Sequence, residues 1–262
     1  MEGITLSGMD NLMNFPFLIA LVSFVIMWGT AYLGTRIFNT TPKLEGDERD
    51  NFSFIIGASL TLLGLIIGFS FSMATGRYDQ RKNYEEEEAN AIGTEYVRVE
   101  VLPSTYPEKL QALLSKYLQL RIQFYQVRNQ DQLRQIDADT AQLQNEMWAA
   151  VKAGALVNPT QVAALAVSGM NDVLNRQGYT QAMWWNRIPI AAWGLMAAIA
   201  ICCNLMIGFA GRHAERRKLL LLVLPLVLSI SFLLLADLDS PRGGIIRVQP
   251  QNLLSLAQSM HS

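Results

Sequence analysis

Residues 51–76, NFSFIIGASLTLLGLIIGFSFSMATG, carry no charged side chain, and the chain runs on through RYDQRKNYEEEEANAIGTEYVRVEV with one glycine, Gly93, and no proline before Pro103. An uncharged run of this length can cross a bilayer as a helix, and nothing in the polar residues that follow stops a helix. One helix is therefore expected from Phe52 to about Val101, leaving lipid and continuing into water. Along its lipid half, Gly57, Thr61, Gly64, Gly68, Ser72 and Thr75 recur every three or four residues and form one narrow stripe of small side chains. Such a stripe has two readings: close packing against another helix, or the lining of an axial pore with Phe69 or Phe71 as a hydrophobic constriction. Four spans in one subunit leave little room for a channel, so the pore reading requires a ring of subunits.

Three further apolar runs, Phe15 to about Phe38, Ile188 to about Gly211 and Leu219 to Ala236, join a composition that is 51% hydrophobic over 262 residues. This is the pattern of a polytopic membrane protein. Met1 to Asn14 has no Lys or Arg, so the first run is expected to be retained as a span and not cleaved as a signal peptide. The formal net charge of -1 excludes a general nucleic-acid surface. Cys202 and Cys203 are adjacent within an apolar run and His213 and His261 are far apart, so neither a disulfide framework nor a histidine metal site is expected. Nucleophile elbows, phosphate-binding glycine loops and zinc-protease motifs are absent from the sequence, which makes catalysis the least supported class and leaves no cofactor to assign.

Between Arg77 and Arg187 the chain is polar, with 12 Lys and Arg against 13 Asp and Glu and apolar residues at helical spacing. One helix is expected to follow a cap at Ser104 or Thr105 with Leu110, Leu113, Leu114, Tyr117, Arg121 and Phe124 on one face. A second carries Leu133, Ile136, Leu143, Met147 and Ala150 and is expected to close at Gly154, and a third to run from Asn158 to near Gly178. Ala89, Ile92, Tyr96 and Val99 give the extension of the long helix its own seam, next to Asn90 and Thr94. Met183, Trp184, Trp185 and Arg187 read as a headgroup interface. The tail shows turn chemistry at Ser240 to Gly244, a short strand-like IIRV and a helix from about Gln251. The expected domains are 1–76 with spans one and two, a helical bundle at 77–187, spans three and four at 188–236, and a tail at 237–262.

At the exit of the long helix, Arg77 and Arg81 followed by Glu85 and Glu88 are candidate pore-mouth charges. Repeated around an axis, Arg77 would attract anions and the glutamates cations, so an anion and a cation channel both stay open. The same residues at four-residue spacing also read as a salt-bridged helix face. Asp237 and Asp239 are candidate ligands for a divalent cation, but two carboxylates fall short of the six to eight oxygens calcium takes, and ion pairs to Arg242 or Arg77 are the expected alternative. Lys and Arg are dense in the connectors Thr40–Asp50 and Gly211–Lys218, which places the connectors in the cytoplasm and the helical domain outside it.

The run LLGLIIGFSFSMATGRYDQRKNYEEEEANAIGTEY at 62–96 and the closing DLDSPRGGIIRVQPQNL at 237–253 resemble the bestrophin-like proteins of bacteria. The resemblance implies a bacterial inner-membrane protein with the architecture of bestrophins, pentameric chloride channels with four spans, a helical domain between spans two and three, and a pore lined by span two. It implies self-association, contact with lipid and permeant small ions as partners. Bestrophins keep that domain and both termini in the cytosol, the reverse of what the connector charges indicate. The fold expected is thus an all-α integral membrane protein, assembled as a homo-oligomer, that acts as an ion channel. The alternative from another class is a membrane-anchored sensor or assembly scaffold whose helical domain binds a ligand or a partner.

Overall fold

The computed structural model describes residues 15–37, 44–103, 105–211 and 219–260. The N-terminal tail, the cap expected at Ser104, the connector residues Lys43, Arg212, Arg216, Arg217 and Lys218, and both histidines lie outside them. Among the described residues the elements are helical: α1 (Pro16–Ile37), α2 (Gly46–Arg98), a 3-10 turn (Val99–Val101), α3 (Tyr106–Gln126), α4 (Gln130–Val157), α5 (Gln161–Trp185), α6 (Ile190–Gly211), α7 (Leu220–Asp239) and α8 (Gln251–Ser259). Four helical stretches, containing α1, the first part of α2, α6 and α7, are long and apolar enough to cross a membrane. The long helix is one element of 53 residues. It starts six residues before the expected Phe52, with Asp47 and Glu48 in its first turn, where carboxylates favour the positive end of the helix dipole.

The chain divides into two compact units, Met1–Gly76 with Arg187–Arg247, and Arg77–Asn186 with Val248–Ser262. In the first, α1 packs on α6 and α7. Its tightest point is a glycine crossing. A Cβ on Gly34 would lie 3.1 Å from Gly208 Cα, and one on Gly208 would overlap the backbone carbonyl of Ala31. Close packing through small residues, one reading of the α2 stripe, is therefore found between α1 and α6.

In the second unit, α3, α4, α5 and the polar part of α2 share one core with Leu253 of α8, centred on Leu110, Tyr117, Phe124, Met147 and Met170. Three sequence boundaries change. α4 continues past Gly154 to Val157, because Gly154 is not a cap but the place where the helix meets the Tyr106 ring, whose Cγ would stand 3.0 Å from a Cβ there. α5 starts at Gln161, capped by the Thr160 hydroxyl, which accepts from Ala163 N, and runs through Gly178 to Trp185. Trp184 is consequently not a headgroup residue. It is buried against Phe124 and Tyr125, with ring centroids 4.9 and 5.4 Å away, while Trp185 is 72% exposed. The strand-like IIRV at 245–248 is not a strand either.

Gly208→Ala is expected to lower thermal stability in detergent by about 1–3 kcal/mol, the usual cost of overpacking. Gly29→Ala, where a Cβ meets nothing within 4 Å, is expected to leave the unfolding midpoint unchanged.

Candidate functional site

The lipid half of α2 uses little of its surface within the chain. Between residues 51 and 76 only Leu63, Ser70 and Ala74 are buried. Gly57, Thr61, Gly64, Gly68 and Ser72 are exposed and Thr75 is half-buried. A Cβ at Gly57, Gly64, Gly68 or Gly76 would find no neighbour within 4 Å. Phe69 and Phe71 are 63% and 43% exposed. Among the described residues, then, the small-residue face of α2 is open from Gly57 to Ser72 and covered in part only at Thr75.

The exit charges separate into two groups. Arg77 is half-buried and Lys82 and Glu86 are exposed, whereas Arg81, Glu85 and Glu88 are buried inside the helical unit. The sequence offers Glu85 and Glu88 as pore-mouth charges; the structure gives both carboxylates internal partners. Glu88 lies 2.5 Å from Arg121 Nε and also accepts from the Tyr125 hydroxyl and the Thr180 hydroxyl, each at 3.4 Å. Arg121 is itself fully buried, its guanidinium 4.3 Å from the Phe124 ring centroid. Glu85 accepts from Asn252 Nδ2 at 2.6 Å and from the backbone N–H of Leu253 at 2.9 Å, the first turn of α8. Its burial raises the Glu85 carboxyl above the usual carboxylate range, against the lowering effect of those hydrogen bonds. Burial likewise pushes the Tyr125 hydroxyl well up, with Glu88 adding to the effect. A helical period explains the division: 81, 85 and 88 share the face of α2 that carries Ala89, Ile92 and Val99 into the core.

Asp237 and Asp239 also accept from backbone amides. The two Asp237 oxygens accept from Ile245 N and Ile246 N, both at 2.8 Å, and Asp239 accepts from Ile188 N at 2.9 Å. Those amides are why residues 245–248 make no strand: their partner is a carboxylate. Gly244 at φ +81° is required beside it, since a Cβ there would overlap the Asp237 carboxylate. The Asp-Leu-Asp-x-Pro-x-x-Gly pattern is a clamp that ties the end of α7 to the tail. Among the described residues no group of three His, Cys, Asp or Glu could hold a metal ion.

A family model described as Bestrophin-like domain matches residues 17–253, and the chain belongs to that family. Crystal structures of a bacterial bestrophin homologue from Klebsiella pneumoniae share its fold. One variant has 12% identity and a TM-score of 0.65, covering 92% of this chain and 93% of that one. A second has 14% identity and a TM-score of 0.63, with 94% and 96% covered. A structure described as a membrane protein matches at 14% identity and a TM-score of 0.62, with 93% and 96% covered. No curated protein sequence matches the chain.

Replacing one member of the Glu88–Arg121 pair leaves a buried charge without its counter-ion, which costs about 3–5 kcal/mol. Glu88→Gln and Arg121→Met are each expected to lower stability by that order in denaturant unfolding of the detergent-solubilised chain, and the double variant to recover a large part of the loss.

Proposed function

We propose that this protein is an oligomeric ion channel whose pore is lined by α2. The observation that carries the proposal is the small, uncharged, open face from Gly57 to Ser72, on a span that also exposes Phe54, Ile55, Leu62, Leu65, Phe69, Phe71 and Met73. The α1–α6 glycine crossing satisfies close packing within the subunit, and the α2 stripe is left for neighbouring copies and for an axis between them. Membership of the bestrophin-like family supports the same assignment. A closed ring of identical subunits, five by analogy with bestrophins, would bring the stripes together in the bacterial inner membrane, with lipid against the remaining apolar surface. Phe71 stands seven residues after Gly64 and so lies nearly in line with the stripe, where its ring would narrow the path; Phe69 flanks it.

Anions are the proposed permeant species. Arg77, one residue beyond Gly76, is the basic group nearest the end of the uncharged run, while Glu85 and Glu88, further along, have internal partners. The helical domain is assigned to the outer side of the membrane on the connector charges alone. In planar bilayers under a potassium chloride gradient, purified protein is expected to carry current reversing near the chloride potential. Arg77→Glu is expected to move the reversal toward the potassium potential. Absence of current at every salt concentration, or a monomer in mild detergent, would refute the channel.

A further inference from the structure

Helical period puts Glu95 on the face of α2 that carries Glu88, Ile92 and Val99 into the core of the helical unit. Unlike Glu85 and Glu88, it meets no hydrogen-bond donor there. It is fully buried, and among the described residues neither carboxylate oxygen accepts a hydrogen bond. Its one ionic contact is long: Arg98 Nη1 lies 3.6 Å from Oε2, and the same nitrogen donates to the Leu165 carbonyl of α5 at 3.5 Å. The Arg98 side chain is 32% exposed, so water screens the charge it offers.

Across from the carboxyl is the backbone of α5. A Cβ at the buried Gly169 would overlap both Glu95 Oε2 and Arg98 Nη1, so the two helices close over this side chain only because α5 carries glycine here. An open groove of about 360 Å³ between α2 and α5 is lined by Arg98, Gly169 and Asp172 and not by Glu95 itself. A swing of the Glu95 side chain past Arg98 would bring it to water.

A carboxylate buried without donors is costly, and the neutral acid much less so. Burial accordingly raises the Glu95 carboxyl to about 8, with Arg98 opposing the rise and Asp172 on α5 adding to it. The other charges along this contact are matched elsewhere: Glu87 with Arg176 of α5, Glu88 with Arg121 of α3, and Glu100 through Gln111 of α3.

We propose that Glu95 is a proton-operated latch between α2 and α5: with its proton it lets the helices close at Gly169, and without it the carboxylate leaves the contact for water and the seam opens. The latch belongs to the helical unit and does not rest on the channel reading. In the open seam the carboxyl returns to its ordinary value of 4.5, so the open state holds fewer protons than the closed one from about pH 4.5 to about pH 8. Opening therefore becomes easier with rising pH across that window and levels off above it, where Glu95 is ionised in both states.

The test is hydrogen exchange of the full chain in detergent, each pH compared with Glu95→Gln, a neutral side chain of the same shape. The ratio of wild-type to variant exchange rates at amides 166–173 is expected to rise about seventyfold from about pH 5.5 to about pH 7.5, and by no more than about twofold from about pH 8.5 to about pH 9.5. Amides 110–118 of α3 should keep a constant ratio. Infrared difference spectra against Glu95→Gln should show the carbonyl stretch of a protonated carboxylic acid at about pH 7 and its loss by about pH 9. Asp172→Asn, a change at an exposed position, should move the midpoint of that loss down in pH, and Arg98→Gln should move it up. A ratio independent of pH, a rise shared equally by α3, no carboxylic band at about pH 7, or midpoint shifts of the opposite sign would overturn the latch.

Discussion

A single helix that carries no charge over residues 51–76 and then becomes highly charged without a break must satisfy two solvents with one backbone. In the apolar half, side-chain burial within the subunit is slight, and the helix presents glycine, serine and threonine outward. In the polar half, Arg81, Glu85, Glu88 and Glu95 are buried, and Glu85 and Glu88 find partners inside the helical unit. The boundary between the two compact units falls inside this helix, between Gly76 and Arg77. Distortion of α2 would therefore alter elements in both.

Carboxylates in this protein act mainly as fasteners. Glu85 holds the first turn of α8, Glu88 holds Arg121, Tyr125 and Thr180, Asp237 holds two amides of the tail, and Asp239 holds the amide of Ile188. Each links segments distant in sequence, and each removes a charge that a sequence reading would assign to a surface. A buried carboxylate that accepts several donors is stable only while those donors stay in place, so these contacts define one conformation sharply. Glu95 is the exception, buried with its oxygens unfilled.

Much of the architecture was legible in local pattern. The four apolar runs, the unbroken α2, the core face of α3 including Arg121, and the short α8 follow from hydropathy and helical period. What failed was the reading of glycine and of charge. Gly154 and Gly178 look like helix ends, but a glycine in a helix can equally mark a close approach, as Tyr106 shows at Gly154. Ending α5 at Gly178 broke the stripe of Val173, Thr180 and Trp184 and sent Trp184 to a lipid headgroup. Spacing of four between Arg81 and Glu85 is as compatible with a solvated face as with a buried one, and only the positions of Asn252 and Leu253, more than 160 residues away, decide it. The same limit hid the approach of Glu95 to Gly169, which share no signal until α2 and α5 are laid side by side.

The central claim, that the small-residue face of α2 borders an aqueous axis, is tested most directly by the reactivity of single cysteines. With Cys202 and Cys203 replaced by serine, cysteines placed one at a time at Gly57, Gly64, Gly68 and Ser72 would be exposed to a charged, water-soluble methanethiosulfonate during current recording. Modification at the stripe is expected to change the current, while cysteines at the exposed neighbours Leu62 and Leu65 stay inert in lipid. Inert stripe cysteines, or reactivity as high at Leu62 and Leu65, would contradict it.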